Sequence, residues 1–147
     1  MRSPAAAMTP KATLSVLSVS PSEQDHLCLQ AIIGHSRWRL LKADGVEEAI
    51  ILLGTHDVSV VFCERDLGSE TWIDMLSHIQ TMSDPPTLVV TSNLADARLW
   101  AEALNLGAWD VVAKPFDRVD VIRSVKLAWD HWHGRRERKP LMRVAAG

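Results

Sequence analysis

The stretch Val58-Ser59-Val60-Val61-Phe62-Cys63 decides the fold. Only Ser59 interrupts an otherwise apolar run, where a strand with one wet face would alternate apolar and polar residues. A short, nearly continuous apolar run rich in Val fits a strand covered on both faces, as in a parallel sheet packed between helices. Thr87-Leu88-Val89-Val90 has the same character. Working outward, three further apolar runs occur at Leu14–Val19, Trp38–Leu41 and Asp110–Ala113.

The segments between these runs have helical spacing. Ser22–Gly34 carries Leu27, Leu29, Ile32 and Ile33. Asp44 stands three residues before Glu47, the pattern of a capping box, with Gly54 as the expected stop. Thr71–Met82 places Trp72, Met75, Leu76 and Ile79 on one face, and Ala95–Leu106 does so with Leu99, Ala103 and Leu106 before Gly107. Asp117 precedes a last helix bearing Val121, Ile122, Val125, Leu127 and Trp129. Strands alternating with helices of this length predict an α/β fold with a parallel sheet and right-handed crossovers.

Composition narrows the function classes. The chain has 147 residues, 47% hydrophobic and 23% charged, with a formal net charge of −2, which suits one domain and gives no electrostatic case for nucleic acid or a membrane surface. The basic run Arg135, Arg136, Arg138, Lys139 reads as a solvated terminus. Cys28 and Cys63 lack metal spacing and read as reduced, buried thiols. The six histidines give no ligand pattern, so no metal and no cofactor is expected. Trp72 and Trp129 read as core, and Trp38, Trp100, Trp109 and Trp132 as less clearly inward. No apolar run has the length of a membrane helix, and the start lacks a signal-peptide pattern, so a cytoplasmic protein is expected. The expected organisation is a disordered lead-in over residues 1–12, a domain over 13–134 and a basic flexible tail over 135–147.

In parallel α/β sheets, ligands sit beyond the carboxyl ends of the strands. The loop Ser20-Pro21-Ser22-Glu23 has no glycine and therefore no dinucleotide or phosphate cradle. The other strand ends bring Glu64-Arg65-Asp66, Thr91-Ser92 and Lys114-Pro115-Phe116 to the same rim. A carboxylate, a hydroxyl and an ammonium converge there, an environment suited to an anion.

Residues Gly107-Ala108-Trp109-Asp110-Val111-Val112-Ala113-Lys114-Pro115-Phe116, together with Thr91 and Cys63-Glu64-Arg65-Asp66-Leu67, resemble the receiver domain of bacterial two-component response regulators over Ala12–Arg135. The resemblance implies a three-layer, flavodoxin-like (βα)5 sandwich with parallel strand order 2-1-3-4-5, and a cis Lys114–Pro115 peptide. It places Lys114 at the family's invariant lysine, Thr91 at its switching hydroxyl and Glu64 at its phosphorylated aspartate. Ser20 and Pro21 fall where the family carries the acidic pair that holds Mg²⁺, and neither supplies a carboxylate. Val111 falls at the aromatic switch position, and Gly68 replaces a usual proline. These departures imply a degenerate, or pseudo-, receiver: a stand-alone signalling module in a phosphorelay system rather than an enzyme, without catalytic residues.

The implied partner is a histidine kinase or output protein. It would meet the face of the fourth helix, last strand and fifth helix, with a homodimer as a further arrangement. Glu64 either stands in for a phosphorylated aspartate or simply pairs with Lys114. The alternatives are phosphoryl acceptance at Glu64 or Asp66, and sensing of a small anion or ligand at the rim. Glu23 and Asp25 read as charges favoured in the first turn of a helix rather than as replacements for the acidic pair.

Overall fold

The structure, a computed structural model, describes residues 14–146, with side chains through Arg135; the lead-in expected over residues 1–12 lies outside the described residues. Five parallel strands form one sheet: β1 (Ser15–Val19), β2 (Arg39–Ala43), β3 (Val60–Glu64), β6 (Thr87–Ser92) and β7 (Asp110–Ala113). Their order is β2-β1-β3-β6-β7, which is 2-1-3-4-5 counted over the parallel strands. The helices are α1 (Glu23–Ile33), α2 (Val46–Thr55), α3 (Trp72–Gln80), α4 (Ala97–Leu106) and α5 (Arg118–Ala146). This is the flavodoxin-like sandwich. The sequence reading did not include the two-residue strands β4 (Asp66–Leu67) and β5 (Glu70–Thr71), which form an antiparallel hairpin after β3. Gly68 turns that hairpin at φ +87°, a conformation that an L side chain rarely adopts.

Side chains alternate across each strand, so the sheet sorts its residues by parity. Leu17, Val19, Val61, Cys63, Leu88, Val90 and Val111 pack with α2, α3 and α4 around Trp72 and Met75. Val16, Val60, Phe62, Val89 and Val112 pack with α1 and α5 around Leu29, Ile33, Val121 and Val125. Continuing the second stripe by one period of two puts Ser18, Glu64 and Thr91 on the α1–α5 side at the strands' carboxyl ends. The parity that builds the core therefore aims the site.

Local capping differs from the sequence reading in two places. The N-cap of α2 is Gly45, not Asp44, and the residue reaching back is Glu48, whose Oε1 accepts from Asp44 N at 2.8 Å. Gly45 has no side chain to cap with, so a single bond from Asp44 N to Glu48 replaces the expected box. Gly54 does not stop α2, which continues to Thr55, where Thr55 Oγ1 donates to Ile51 O at 3.1 Å. Thr71 caps α3 in a box with Asp74, and Asp96 caps α4. Gly107 ends α4 in the left-handed region, as the sequence predicts.

α5 extends through residues 135–146, the segment read from sequence as a tail. Arg135 donates to Pro85 O, which ties that part of α5 to the loop entering β6. Trp132, read as less clearly inward, is buried, and Trp129 is half-buried against the α1–α5 core.

Candidate functional site

Glu64 ends β3 and is the register partner of Thr91 on β6. Thr91 Oγ1 donates to Glu64 Oε1 at 3.5 Å, a long bond. Lys114 leaves β7 with its backbone N–H bonded to Ser92 O at 2.9 Å, so its stem begins beside the end of β6. Its ammonium lies 2.5 Å from the same Glu64 Oε1. The structure thus brings together Glu64, Thr91 and Lys114. The Lys114–Pro115 peptide is cis, and Pro115 is exposed.

A second carboxylate completes the cluster. Lys114 Nζ lies 2.9 Å from Asp25 Oδ2 on α1. Asp25 is in the first turn of α1, as expected, but its side chain turns into the site and is buried. Ser20 Oγ donates to the same Oδ2 at 2.7 Å and accepts from Ser22 N at 3.1 Å. Buried His26 backs this loop: its Nε2 is 3.0 Å from Ser20 O and its Nδ1 is 2.9 Å from Ser18 Oγ. A carbonyl only accepts, so Nε2 carries a proton. The hydrogen-bonded chain runs Ser18, His26, Ser20, Asp25, Lys114, Glu64, Thr91, across the ends of β1, β3, β6 and β7.

Burial works against the Lys114 charge, but hydrogen bonds to Glu64 and Asp25, and the charges of both, outweigh it and raise its pKa above the ordinary 10.5. Burial, and then the nearby Glu64 charge, push the Cys63 thiol well above its ordinary range, so it is an inert core thiol. Cys28 is only half-buried, a departure from the buried reading.

The remaining sequence candidates sit elsewhere. Asp66 is exposed on β4 and paired with Arg65 at 3.4 Å, outside the cluster. Glu23 is exposed and paired with Lys42 at 3.3 Å. Pro21 is exposed, while Ser20 is buried. Val111 is buried in β7, facing the α2–α4 core. Asp25 and His26 are what the sequence reading missed. The available signal was the stripe Val16, Ser18, Ser20, which turns polar where α1 must cover it.

Both buried carboxylates of the cluster, Glu64 at the end of β3 and Asp25 on α1, are engaged by one ammonium, and Ser20 and Pro21 bring none. Among the described residues no three His, Cys, Asp or Glu side chains are grouped to hold a metal ion. This donor set does not fit Mg²⁺, which needs charged oxygens free to enter its shell. Among the described residues, no helix is long and apolar enough to cross a membrane.

Residues 22–126 match the model of the response regulator receiver domain. The chain is 35% identical over 92 residues to the Regulator of RpoS of Escherichia coli (strain K12), covering 60% of this chain and 26% of that protein. It is 26% identical over 112 residues to the two-component response regulator ORR7 of Oryza sativa subsp. japonica, covering 74% of this chain and 53% of that protein. The chain thus spans about a quarter of the first relative and about half of the second. The signal receiver domain of an HD domain-containing protein from Pseudomonas fluorescens Pf-5 superposes with a TM-score of 0.77 at 25% identity, covering 85% of this chain and 93% of that one. NtrX from Brucella abortus, in complex with ADP, shares the fold at a TM-score of 0.79 and 18% identity, covering 92% of this chain and 30% of that one.

Proposed function

The chain belongs to the response regulator receiver family, and on that premise we propose that residues 13–134 form a pseudo-receiver that signals by protein contact without phosphorylation. The carrying observation is the engagement of Glu64, at the family's acceptor position, by Lys114 and Thr91. Ser20 and Pro21 stand where the Mg²⁺-holding acids belong. Acyl-phosphate formation needs an in-line carboxylate and a metal to neutralise developing charge. Here the carboxylate is occupied and the acidic pair is absent.

The module is not an enzyme in this reading, acts in the cytoplasm and requires no cofactor. Its docking face is α4, β7 and the first half of α5. Trp100, Leu104 and Trp109 are exposed there, and Trp109 stacks on His131 with ring centroids 4.5 Å apart. Aromatic side chains on such a face suit a protein partner, a histidine kinase or an output protein. A homodimer through the same face is the second arrangement.

The test is incubation with acetyl phosphate or phosphoramidate and Mg²⁺, read by intact mass. The mass is expected to stay unchanged. A gain of one phosphoryl group that disappears in Glu64→Ala or Asp66→Ala overturns the reading.

A further inference from the structure

We propose that Lys114 is the resident cation of this site: its ammonium occupies the place between Asp25 and Glu64 that a divalent ion would otherwise fill, and Ser20 and His26 hold the Asp25 side of that cage. The inference deepens the pseudo-receiver reading and rests on it.

Two carboxylates, both almost nine-tenths buried, converge on one point. Two like charges brought that close out of water require a cation or a shared proton. Lys114 meets the requirement, with its nitrogen 2.5 Å from one oxygen and 2.9 Å from the other. Divalent ions such as Ca²⁺ and Mg²⁺ bind oxygens at roughly 2.0–2.6 Å, so the two carboxylate oxygens flank the ammonium at distances only slightly longer than metal–oxygen bonds. Hydroxyls extend the cage on both sides: Ser20 Oγ bonds the Asp25 oxygen and Thr91 Oγ1 bonds the Glu64 oxygen.

Asp25 comes from α1 rather than from the end of β1. It reaches the site because Ser20 anchors its carboxylate while Ser20 is itself fixed from three directions, by Ser22 N, by His26 Nε2 and by the parallel β1–β2 pairing, which Ser20 N extends by donating to Ala43 O at 3.0 Å. The cage is built into the backbone, and the cation within it is covalently part of the chain. A domain arranged this way needs no metal to neutralise Asp25 and Glu64 and holds no free shell for one.

The test compares the full chain as wild type, Lys114→Ala, and Lys114→Ala combined with Asp25→Asn. Each is titrated with Mn²⁺, read by calorimetry and by the paramagnetic resonance of the free ion. Carboxylate oxygens suit Mn²⁺ as they do Mg²⁺. Wild type is expected to bind weakly. Lys114→Ala is expected to bind at least tenfold more tightly and to melt higher with Mn²⁺ than without, and Asp25→Asn is expected to cancel the gain. Wild-type binding as tight as that of Lys114→Ala, or a gain that survives Asp25→Asn, overturns the proposal.

If Lys114→Ala does not fold, Asp25→Asn alone carries the test. Trinitrobenzenesulfonate should label Lys114 at least tenfold faster in Asp25→Asn than in wild type, read by peptide mass, while Glu23→Gln leaves the rate unchanged. Equal rates in Asp25→Asn and wild type overturn the proposal. The functional reading fails on a different measurement, a phosphoryl mass gain in wild type, so the two failures are distinguishable.

Discussion

Lys114 Nζ and Asp25 Oδ2 are 2.9 Å apart, although 89 residues separate them in sequence. The contact joins the first turn of α1 to the end of β7, across the full set of intervening strands. It is formed by side chains only 16% and 12% exposed, so solvent screens it less than a surface pair. Removing Lys114 leaves Asp25 and Glu64 facing each other in a poorly hydrated place, whereas removing Asp25 leaves Lys114 on Glu64 alone.

The first prediction is an alkaline instability. The folded-state pKa of Lys114 is raised above 10.5, first against the opposing effect of burial and then by Glu64 and Asp25. A raised lysine contributes stability that is fully present below its unfolded pKa and is lost as pH rises through its folded value. The loss therefore falls above pH 10.5. Urea melts between pH 8 and 12 are expected to show a steeper alkaline decline for wild type than for Lys114→Met. Equal slopes above pH 10.5 would remove this account of Lys114.

The second prediction separates two acids that the sequence presents alike. Glu23 and Asp25 both lie in the first turn of α1. Glu23 pairs with Lys42 with both side chains more than half exposed, so Glu23→Ala is expected within about 0.5 kcal/mol of wild type. Asp25→Ala leaves Lys114 on Glu64 alone and takes the acceptor from buried Ser20 Oγ, and it is expected to cost roughly 1–3 kcal/mol, the scale of an unmet buried hydrogen-bonding group. Denaturant midpoints of the two variants check the contrast, and comparable losses would contradict it.

These two acids also show how far the sequence carries. The sheet was legible because Val58–Cys63 and Thr87–Val90 are apolar on both parities, which a parallel, covered strand requires and little else tolerates. The cluster of Glu64, Thr91 and Lys114 was legible because each lies within one residue of a strand's end, and strand ends in this fold share one rim. Asp25 was not legible. A carboxylate in the first turn of a helix is favourable there without any tertiary partner, so the local explanation was sufficient and hid the long-range one. The β4–β5 hairpin was also missed, because two-residue strands carry no periodicity. The shifted cap of α2 was missed because Glu47 and Glu48 are adjacent and only the backbone decides which reaches back.

A third prediction concerns two glycines at helix C-termini, Gly54 in α2 and Gly107 after α4. Gly107 sits at φ +113°, and a Cβ there would meet Gln80 Nε2 at 3.0 Å. Gln80 Nε2 also donates to Leu106 O, so it cannot retreat without losing that bond. Gly107→Ala is expected to destabilise by about 1–2 kcal/mol. Gly54 lies in the last turn of α2, where an added Cβ would meet nothing within 4 Å, and Gly54→Ala is expected to stabilise by roughly 0.4–1 kcal/mol. Thermal melts of both variants read the opposite signs, and a shift of the same sign in each would refute the assignment.

The last prediction follows from the pseudo-receiver reading and concerns switching. A switch needs an element with two arrangements and an input that prefers one of them. At the site, Glu64 holds a permanent negative charge against Lys114 and Thr91. At the sheet, Val111 is packed into the α2–α4 core, where it has no large ring to swing between core and surface. Input and moving part are both reduced, so the domain is expected to occupy one conformation. Driving a 1:99 equilibrium to 99:1 takes about 5.5 kcal/mol of preference, far more than the exchange of one carboxylate for an amide in a fixed cage is expected to redirect to a distant face. Glu64→Gln keeps an acceptor oxygen for Thr91 and Lys114 but removes the charge. It is expected to lower stability by about 1–3 kcal/mol. It should leave hydrogen-exchange protection across residues 97–132 unchanged relative to that of β1 and β3, and self-association by analytical ultracentrifugation within about 1 kcal/mol of wild type, well below that switching scale. Glu64→Asp should behave in the same way. A hundredfold change in self-association, or loss of protection concentrated in α4 and β7, would show that Glu64 biases a live two-state element, and the single-conformation reading would have to be abandoned.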